Sequence, residues 1–143
     1  MSPDVSSSLP PRRRRALWPI AIAALVVVAS HRSHVAAPAI NHIDKVAHFA
    51  VFGLLGTLIC RLGRSWRAAG WALLMVSAFG VLDEWHQSFV PGRSSEVGDW
   101  IADTSGAALA VTLYCGWAAY RRLLETRLWG RARGRAGLDS ANR

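Results

Sequence analysis

The sequence predicts an all-α, polytopic membrane protein, a compact bundle of four transmembrane helices with both termini in the cytoplasm. Three observations support this fold class. The chain of 143 residues is 52% hydrophobic and carries a formal charge of +8, yet its basic residues are segregated from its apolar stretches. Four of those stretches approach the ~20 apolar residues needed to cross ~30 Å of hydrocarbon. The connections between them are short, which favours antiparallel neighbours in a bundle.

The four predicted spans occupy most of the chain. They run from Leu17 to about His34, from about Asp44 to Leu62, from Trp66 to Gln87, and from Trp100 to Tyr120. Residues 16–120 therefore form the predicted membrane domain. The flanking segments, 1–15 and 121–143, are basic and rich in Ser and Pro or in Arg and Gly, a composition typical of disordered cytoplasmic ends.

The distribution of Lys and Arg sets the orientation, because basic loops are retained on the cytoplasmic side. With the N-terminus inside, 14 of the 17 basic residues fall in cytoplasmic segments. The outer side then holds only Arg32, Lys45 and Arg93. We expect a multi-pass protein of the bacterial inner membrane, with the lipid bilayer as its first partner.

Two other interpretations of the basic and apolar segments carry less weight. The arginines of 12–15 and the apolar run behind them have the shape of a signal peptide cleaved near Ser30. Cleavage would leave three spans and would place one terminus on the side of the membrane that the distribution of basic residues disfavours. A high net charge can also indicate nucleic-acid binding. Membrane orientation already accounts for these arginines, so we expect no nucleic-acid partner.

Ionisable residues gather on the predicted outer side of the membrane. All five histidines lie there, with six of the nine acidic residues: Asp44, Asp83, Glu84, Glu96, Asp99 and Asp103. Charged groups at the edge of a bilayer are costly, and they usually face a bundle interior and carry function. This end of the bundle is therefore the predicted functional region.

Helical spacing places the polar residues on shared faces, because positions three or four apart are neighbours on a helix. Asp44 and His48 lie one turn apart on the second span. The other stripes are Ser77, Gly80, Glu84 and Gln87 on the third span, and Asp99, Asp103, Gly106 and Ala110 on the fourth. The small residues of the last stripe favour close helix approach. His48, Glu84 and Asp103 are predicted to meet at one depth, beneath Arg93 in the Pro91-Gly92 turn.

Three motifs in this region resemble the VanZ-like family, which takes its name from a teicoplanin-resistance protein. The resemblance covers roughly residues 40–115. The motifs are an Asp-Lys-x-x-His-Phe helix start at 44–49, a Glu-x-x-Gln-x-Phe-x-Pro-Gly-Arg hairpin at 84–93, and a helix start of the form Asp-x-x-x-Asn-x-x-Gly at 99–106. This chain has Asp103 where the resemblance implies Asn, which adds a charge that is either neutralised by a proton or paired.

The sequence favours a non-enzymatic envelope factor that binds a polar or anionic headgroup on the outer side. Candidate ligands are a lipid-linked cell-wall precursor and a glycopeptide antibiotic, the latter from the resemblance. The predicted ligand-binding residues are Asp44, Lys45, His48, Glu84, Gln87, Arg93, Asp99 and Asp103. Homo-oligomerisation is left open.

Four other interpretations of the same residues are kept. In a purely structural account, Lys45 and Arg93 neutralise the nearby acids. In a membrane-embedded hydrolase or transferase, His48 is the general base, Asp44 orients it and Glu84 is the acid. A metal-dependent version would use His48, Glu84, His86 and Asp103, but these lack a compact ligand spacing, so no metal or cofactor is expected. A small transporter ranks last, because the inner halves of the spans show no matching polar residues.

Overall fold

The computed structural model describes residues 12–31, 43–91 and 95–125, and within these ranges the chain is all-α. Four long helices follow one another: α1 (Arg12–Ser30), α2 (Ile43–Gly63), α3 (Trp66–Gln87) and α4 (Val97–Gly116). A short fifth helix, α5, occupies residues 118–125 after a break at Trp117. The predicted all-α class is confirmed.

The helix bounds agree with the predicted segments in the middle of the chain and differ at its ends. The prediction for α3 is identical to the observed helix, and α2 differs by one residue at each end. By contrast, α1 begins at Arg12, so residues 12–15 are helical where the sequence predicted a disordered segment. Residues 121–125, assigned to the tail, are likewise helical. Arg favours helix almost as much as Leu, so a charged stretch can continue an apolar helix.

One helix in the described ranges is long and apolar enough by itself to qualify as a membrane span. This is α2, over Asp44–Gly63, with a mean hydropathy of 1.7. The other three long helices carry charged residues within their bounds, which lower their average hydropathy.

Close contact between α2 and α4 holds the bundle together, and these two helices share its largest interface. A Cβ atom added at Gly106 would overlap the backbone carbonyl of Phe49, and one added at Gly53 would lie 3.1 Å from the carbonyl oxygen of Gly106. The predicted role of the small residues on α4 is therefore confirmed. Helix α3 packs against both α2 and α4, and α1 lies against α2 and α3.

Two apolar clusters fill the interior below the outer end. The first joins α1, α2, α3 and α4 through Val26, Phe52, Leu55, Val76 and Ala107. The second lies nearer the α2–α3 turn and comprises Cys60, Ala69, Ala72, Val111 and Tyr114. In that turn Arg64 has a positive φ of 53°, and the Ser65 hydroxyl caps α3 by accepting from the Ala68 amide at 3.1 Å.

Candidate functional site

The polar residues of α2, α3 and α4 meet at one end of the bundle, which we call the outer cluster. It is defined by Asp44, Lys45, His48, Asp83, Glu84, Gln87, Glu96, Asp99 and Asp103. The first turns of α2 and α4 and the last turn of α3 reach the same end because consecutive helices are antiparallel. Five of these side chains are buried, namely Asp83, Glu84, Gln87, Asp99 and Asp103.

Lys45 links the start of α2 to the start of α4. Its ammonium donates to Asp99 Oδ1 at 2.7 Å and to Glu96 Oε2 at 2.8 Å. The Asp99 side chain is buried, whereas Glu96 is exposed. The structural interpretation of Lys45 and these two acids as a helix-joining ion pair is therefore supported by direct contacts. A ligand-binding role for Lys45 and Asp99 remains a prediction.

His48 is held by Asp103, whose side chain is fully buried. The His48 Nδ1 atom lies 2.9 Å from Asp103 Oδ1, while its Nε2 atom lies 4.0 Å from Asp44 Oδ1. When Asp103 is ionised its oxygens can only accept, so in that state Nδ1 carries the shared proton. The carboxylate closest to the imidazole is therefore Asp103 and not Asp44, the predicted orienting residue, because inter-helix packing brings the α4 side chain closer than the neighbour one turn away. The sequence predicts that the Asp103 carboxyl is either protonated or paired, and in the structure it is paired with His48.

Glu84 joins the end of α3 to the start of α4. Its Oε2 atom accepts from the backbone amide of Glu96 at 2.8 Å, so the side chain fixes the position of the N-cap residue that directly precedes α4. One turn further on, Gln87 Nε2 donates to Asp83 Oδ2 at 2.8 Å. Asp83 was not among the predicted site residues, although its position four residues before Gln87 was a usable signal.

Three carboxylate oxygens in the outer cluster are buried and have no hydrogen-bond partner within the described ranges. They are Asp83 Oδ1, Glu84 Oε1 and Asp103 Oδ2. Gly80 makes room for the last of these, since a Cβ at that position would lie 3.0 Å from Asp103 Oδ2. A buried acceptor without a partner costs about 1–3 kcal/mol, and more if it is charged. Such atoms are typical of sites that a ligand, an ion or ordered water completes.

The outer cluster is acidic. Its side chains include six carboxyl groups, and Lys45 is the one Lys or Arg among those that define it. Arg93, predicted to lie over the mouth of this cluster, falls outside the described residues. So do Arg32, His34 and His42. Hydrogen-bond donors and cations are therefore the groups that the described part of the site attracts most directly.

The histidines of the predicted metal set do not come together. His86 stacks on His31, the residue directly after α1, with ring centroids 5.6 Å apart, while His48 faces α4. Within the described ranges, a different set brings its potential ligand atoms within 4.8 Å of one another: Asp44, His48 and Asp99. Sequence spacing missed this set because it joins one turn of α2 to a residue of α4.

The model of the VanZ/LLP1 family matches residues 3–120, which is most of the chain. The chain therefore belongs to the VanZ/LLP1 family, and the resemblance seen in the three sequence motifs is confirmed. Proteins of this family are typically membrane-associated. No curated protein matches the chain, and no solved structure matches it.

Proposed function

We propose that this member of the VanZ/LLP1 family is a four-span protein of the bacterial inner membrane whose outer cluster binds the polar headgroup of an envelope lipid. The proposal rests on the buried carboxylate oxygens of Asp83, Glu84 and Asp103 that have no hydrogen-bond partner among the described residues. The ligand class that fits them best is a lipid-linked cell-wall precursor, which offers many hydroxyl and amide donors next to a membrane anchor.

The distribution of polar and apolar side chains supports insertion of the whole bundle in a membrane. Large apolar residues on α1, α3 and α4 are 53–66% exposed: Leu17, Trp18, Trp71, Leu74, Leu82 and Ile101. At the same time, four acidic side chains and a glutamine are buried. A water-soluble protein buries such apolar surface and rarely buries acids. The acidic side chains that lower the average hydropathy of α3 and α4 are thus buried at one end of the bundle, and lipid would contact the apolar faces.

The proposed orientation rests on charge. Arg64 and Arg67 at the α2–α3 turn and Arg121 and Arg122 on α5 lie at the end opposite the outer cluster. Basic residues favour the cytoplasmic side. The outer cluster would then open toward the cell wall, where a headgroup can reach it laterally from the outer leaflet.

Cysteine accessibility tests the topology. In a background with Cys60 and Cys115 replaced by Ala, we expect Phe89→Cys to react in intact spheroplasts with a maleimide that cannot cross the membrane. Arg67→Cys, which is also exposed but lies at the other end, is the matched control and should react only after permeabilisation. The reverse pattern would contradict the proposed orientation.

The carboxylate oxygens without a partner among the described residues determine which groups of a headgroup can bind. Hydroxyl and amide groups of a sugar–peptide headgroup can donate to the partnerless oxygens, and each such bond to a carboxylate contributes about 1.5–3 kcal/mol. For the anionic phosphates of the same headgroup, Arg93 is the predicted partner, since an arginine fork matches phosphate oxygens.

Native mass spectrometry of the chain extracted with its lipids tests the ligand. We expect wild-type protein to retain a species with the mass of a wall precursor, and Glu84→Gln to retain about tenfold less, a loss equivalent to about 1.4 kcal/mol. Glu125→Gln makes the same change at the opposite end and should retain as much as wild type. Equal retention by Glu84→Gln would refute the proposal, and retention of added teicoplanin instead would assign the site to a glycopeptide.

The His48–Asp103 pair favours a second candidate, a membrane-embedded hydrolase or transferase. Asp103 fixes the imidazole so that Nε2 faces the solvent-exposed Asp44, which is the arrangement of a general base oriented by a buried carboxylate. Glu84 would be the acid. Release of phosphate or headgroup from lipid-linked precursor by purified wild type, abolished in His48→Ala, would establish turnover; identical rates in both would exclude it.

A further inference from the structure

We infer that Asp44, His48 and Asp99 form a binding site for a divalent transition-metal cation such as Zn²⁺. The set joins the first turn of α2 to α4, and one ligand atom from each residue lies within 4.8 Å of the other two. In a loaded site with bonds of about 2.0–2.1 Å, these atoms would lie roughly 3.3 Å apart, so the ligand atoms would have to approach one another by up to about 1.5 Å. Asp44 is an exposed side chain in the first turn of its helix, and it is free to make that shift.

The hydrogen bond from His48 to Asp103 prepares the imidazole for a cation. Because Nδ1 donates to the buried carboxylate at 2.9 Å, the lone pair of the neutral ring is on Nε2, which faces Asp44. Metal-bound histidines usually show this arrangement, in which a carboxylate on the second ring nitrogen fixes both tautomer and ring orientation. Asp103 is thus a positioning residue.

Charge around the set also favours a cation. Asp99 uses Oδ1 for Lys45, which leaves Oδ2 as its potential ligand atom. Glu84 belongs to the same cluster and accepts from the backbone amide of Glu96, three residues before Asp99, and its buried Oε1 has no partner within the described ranges. An unpaired buried acceptor in the same acidic cluster favours the binding of a positively charged or donor group at this end of the bundle.

The types of ligand atom narrow the identity of the cation. One imidazole nitrogen and two carboxylate oxygens suit Zn²⁺ and Mn²⁺, whereas Mg²⁺ prefers oxygen ligands and retains its water. Three protein ligands leave coordination positions open for an external group. In the proposed headgroup site, those positions would face a phosphate oxygen, but binding of the cation alone does not depend on that proposal.

Equilibrium dialysis of the full-length chain in lipid nanodiscs, stripped with chelator, against Zn²⁺ alone tests the site. We expect about one Zn²⁺ per chain, with Mg²⁺ unable to displace it at a hundredfold excess. Asp44→Asn, a change at an exposed position, should weaken binding about tenfold or more, and His48→Ala should abolish it. Asp103→Asn should weaken it by about 10–100-fold, the range typical of a lost partner to a metal-bound histidine.

His86→Ala is the matched control, because it removes a second histidine from the same end of the bundle. Unchanged Zn²⁺ binding in this variant supports the site. Wild-type protein without bound Zn²⁺, or Asp44→Asn and His48→Ala proteins that bind Zn²⁺ as wild type does, would overturn it. Loss of binding in His86→Ala alone would assign the metal to the His31–His86 pair, which also overturns it. If Zn²⁺ fails to bind while precursor retention persists, the headgroup proposal stands without the cation site.

Discussion

Both ends of the bundle have acidic side chains packed among helices: several in the outer cluster, and Glu125 at the opposite end, here called the inner end. Among the described residues, only the outer cluster has buried carboxylate oxygens without a hydrogen-bond partner. At the inner end, Glu125 accepts from the Tyr114 hydroxyl at 2.7 Å through Oε1 and from the Arg64 guanidinium at 3.1 Å through Oε2. In the outer cluster, Asp83, Glu84 and Asp103 each leave one buried oxygen without a partner within the described ranges. A complete network indicates a structural role, and an incomplete one indicates a binding site.

The two ends are expected to contribute differently to the stability of the protein and to ligand binding. At the inner end, the ion pair of Arg64 and Glu125 joins the α2–α3 turn to α5. Both oxygens of Glu125 accept a hydrogen bond. In the outer cluster, hydrogen bonds and ion pairs offset only part of the free energy lost when its acidic groups are buried. Preformed binding sites usually lower the stability of the folded state in this way. Substitutions at the inner end should therefore change stability, and those in the outer cluster should change binding.

The largest expected effect comes from breaking the helix contact on which both ends depend. Gly106→Ala places a Cβ on the Phe49 carbonyl, and because backbone cannot yield as a side chain does, we expect destabilisation of more than about 3 kcal/mol. Gly70→Ala is the control, since a Cβ there meets nothing within 4 Å. Thermal unfolding in detergent, followed by tryptophan fluorescence, measures both variants, and equal midpoints would show that α2 and α4 are not in close contact.

A smaller effect should distinguish the two kinds of carboxylate. Glu125→Gln replaces two bonds to a charged acceptor with weaker ones and should cost about 1–2 kcal/mol of stability. Glu84→Gln removes the charge from an incompletely paired acid and should leave stability within about 1 kcal/mol of wild type, or raise it. The same unfolding assay reads both variants. A large loss for Glu84→Gln with none for Glu125→Gln would reverse the assignment of structural and binding ends.

The smallest expected effect concerns Lys45. Lys45→Gln removes a cation that competes for Asp99, so we expect Zn²⁺ affinity to rise several-fold. Because Asp99 is buried, loss of its charged partner should also lower the unfolding midpoint, but only slightly, since the glutamine amide can still donate to the Asp99 carboxylate. Titration of Zn²⁺ into the stripped protein measures the change. A fall in Zn²⁺ affinity would show that Lys45 stabilises the metal-bound state, and that it does not compete with Zn²⁺ for Asp99.

Much of the fold was predictable because its signals are local. The segment from Trp66 to Gln87 was predicted with the bounds that α3 has, since its apolar run begins after a basic turn and ends in a polar motif. The close approach at Gly106 was predictable from helical spacing of small residues. The helical state of residues 12–15 was not, because charge suggests exposure and says little about backbone conformation.

The sequence by itself determined the all-α class, the family, and the end of the bundle where the polar residues gather. These properties follow from hydropathy, charge and spacing along single helices. Only the tertiary structure decided that His48 pairs with Asp103 rather than Asp44, that Lys45 bridges Glu96 and Asp99, and that Asp83 is buried. Such contacts depend on the rotation and depth of neighbouring helices, which are set by the packing of all of them together.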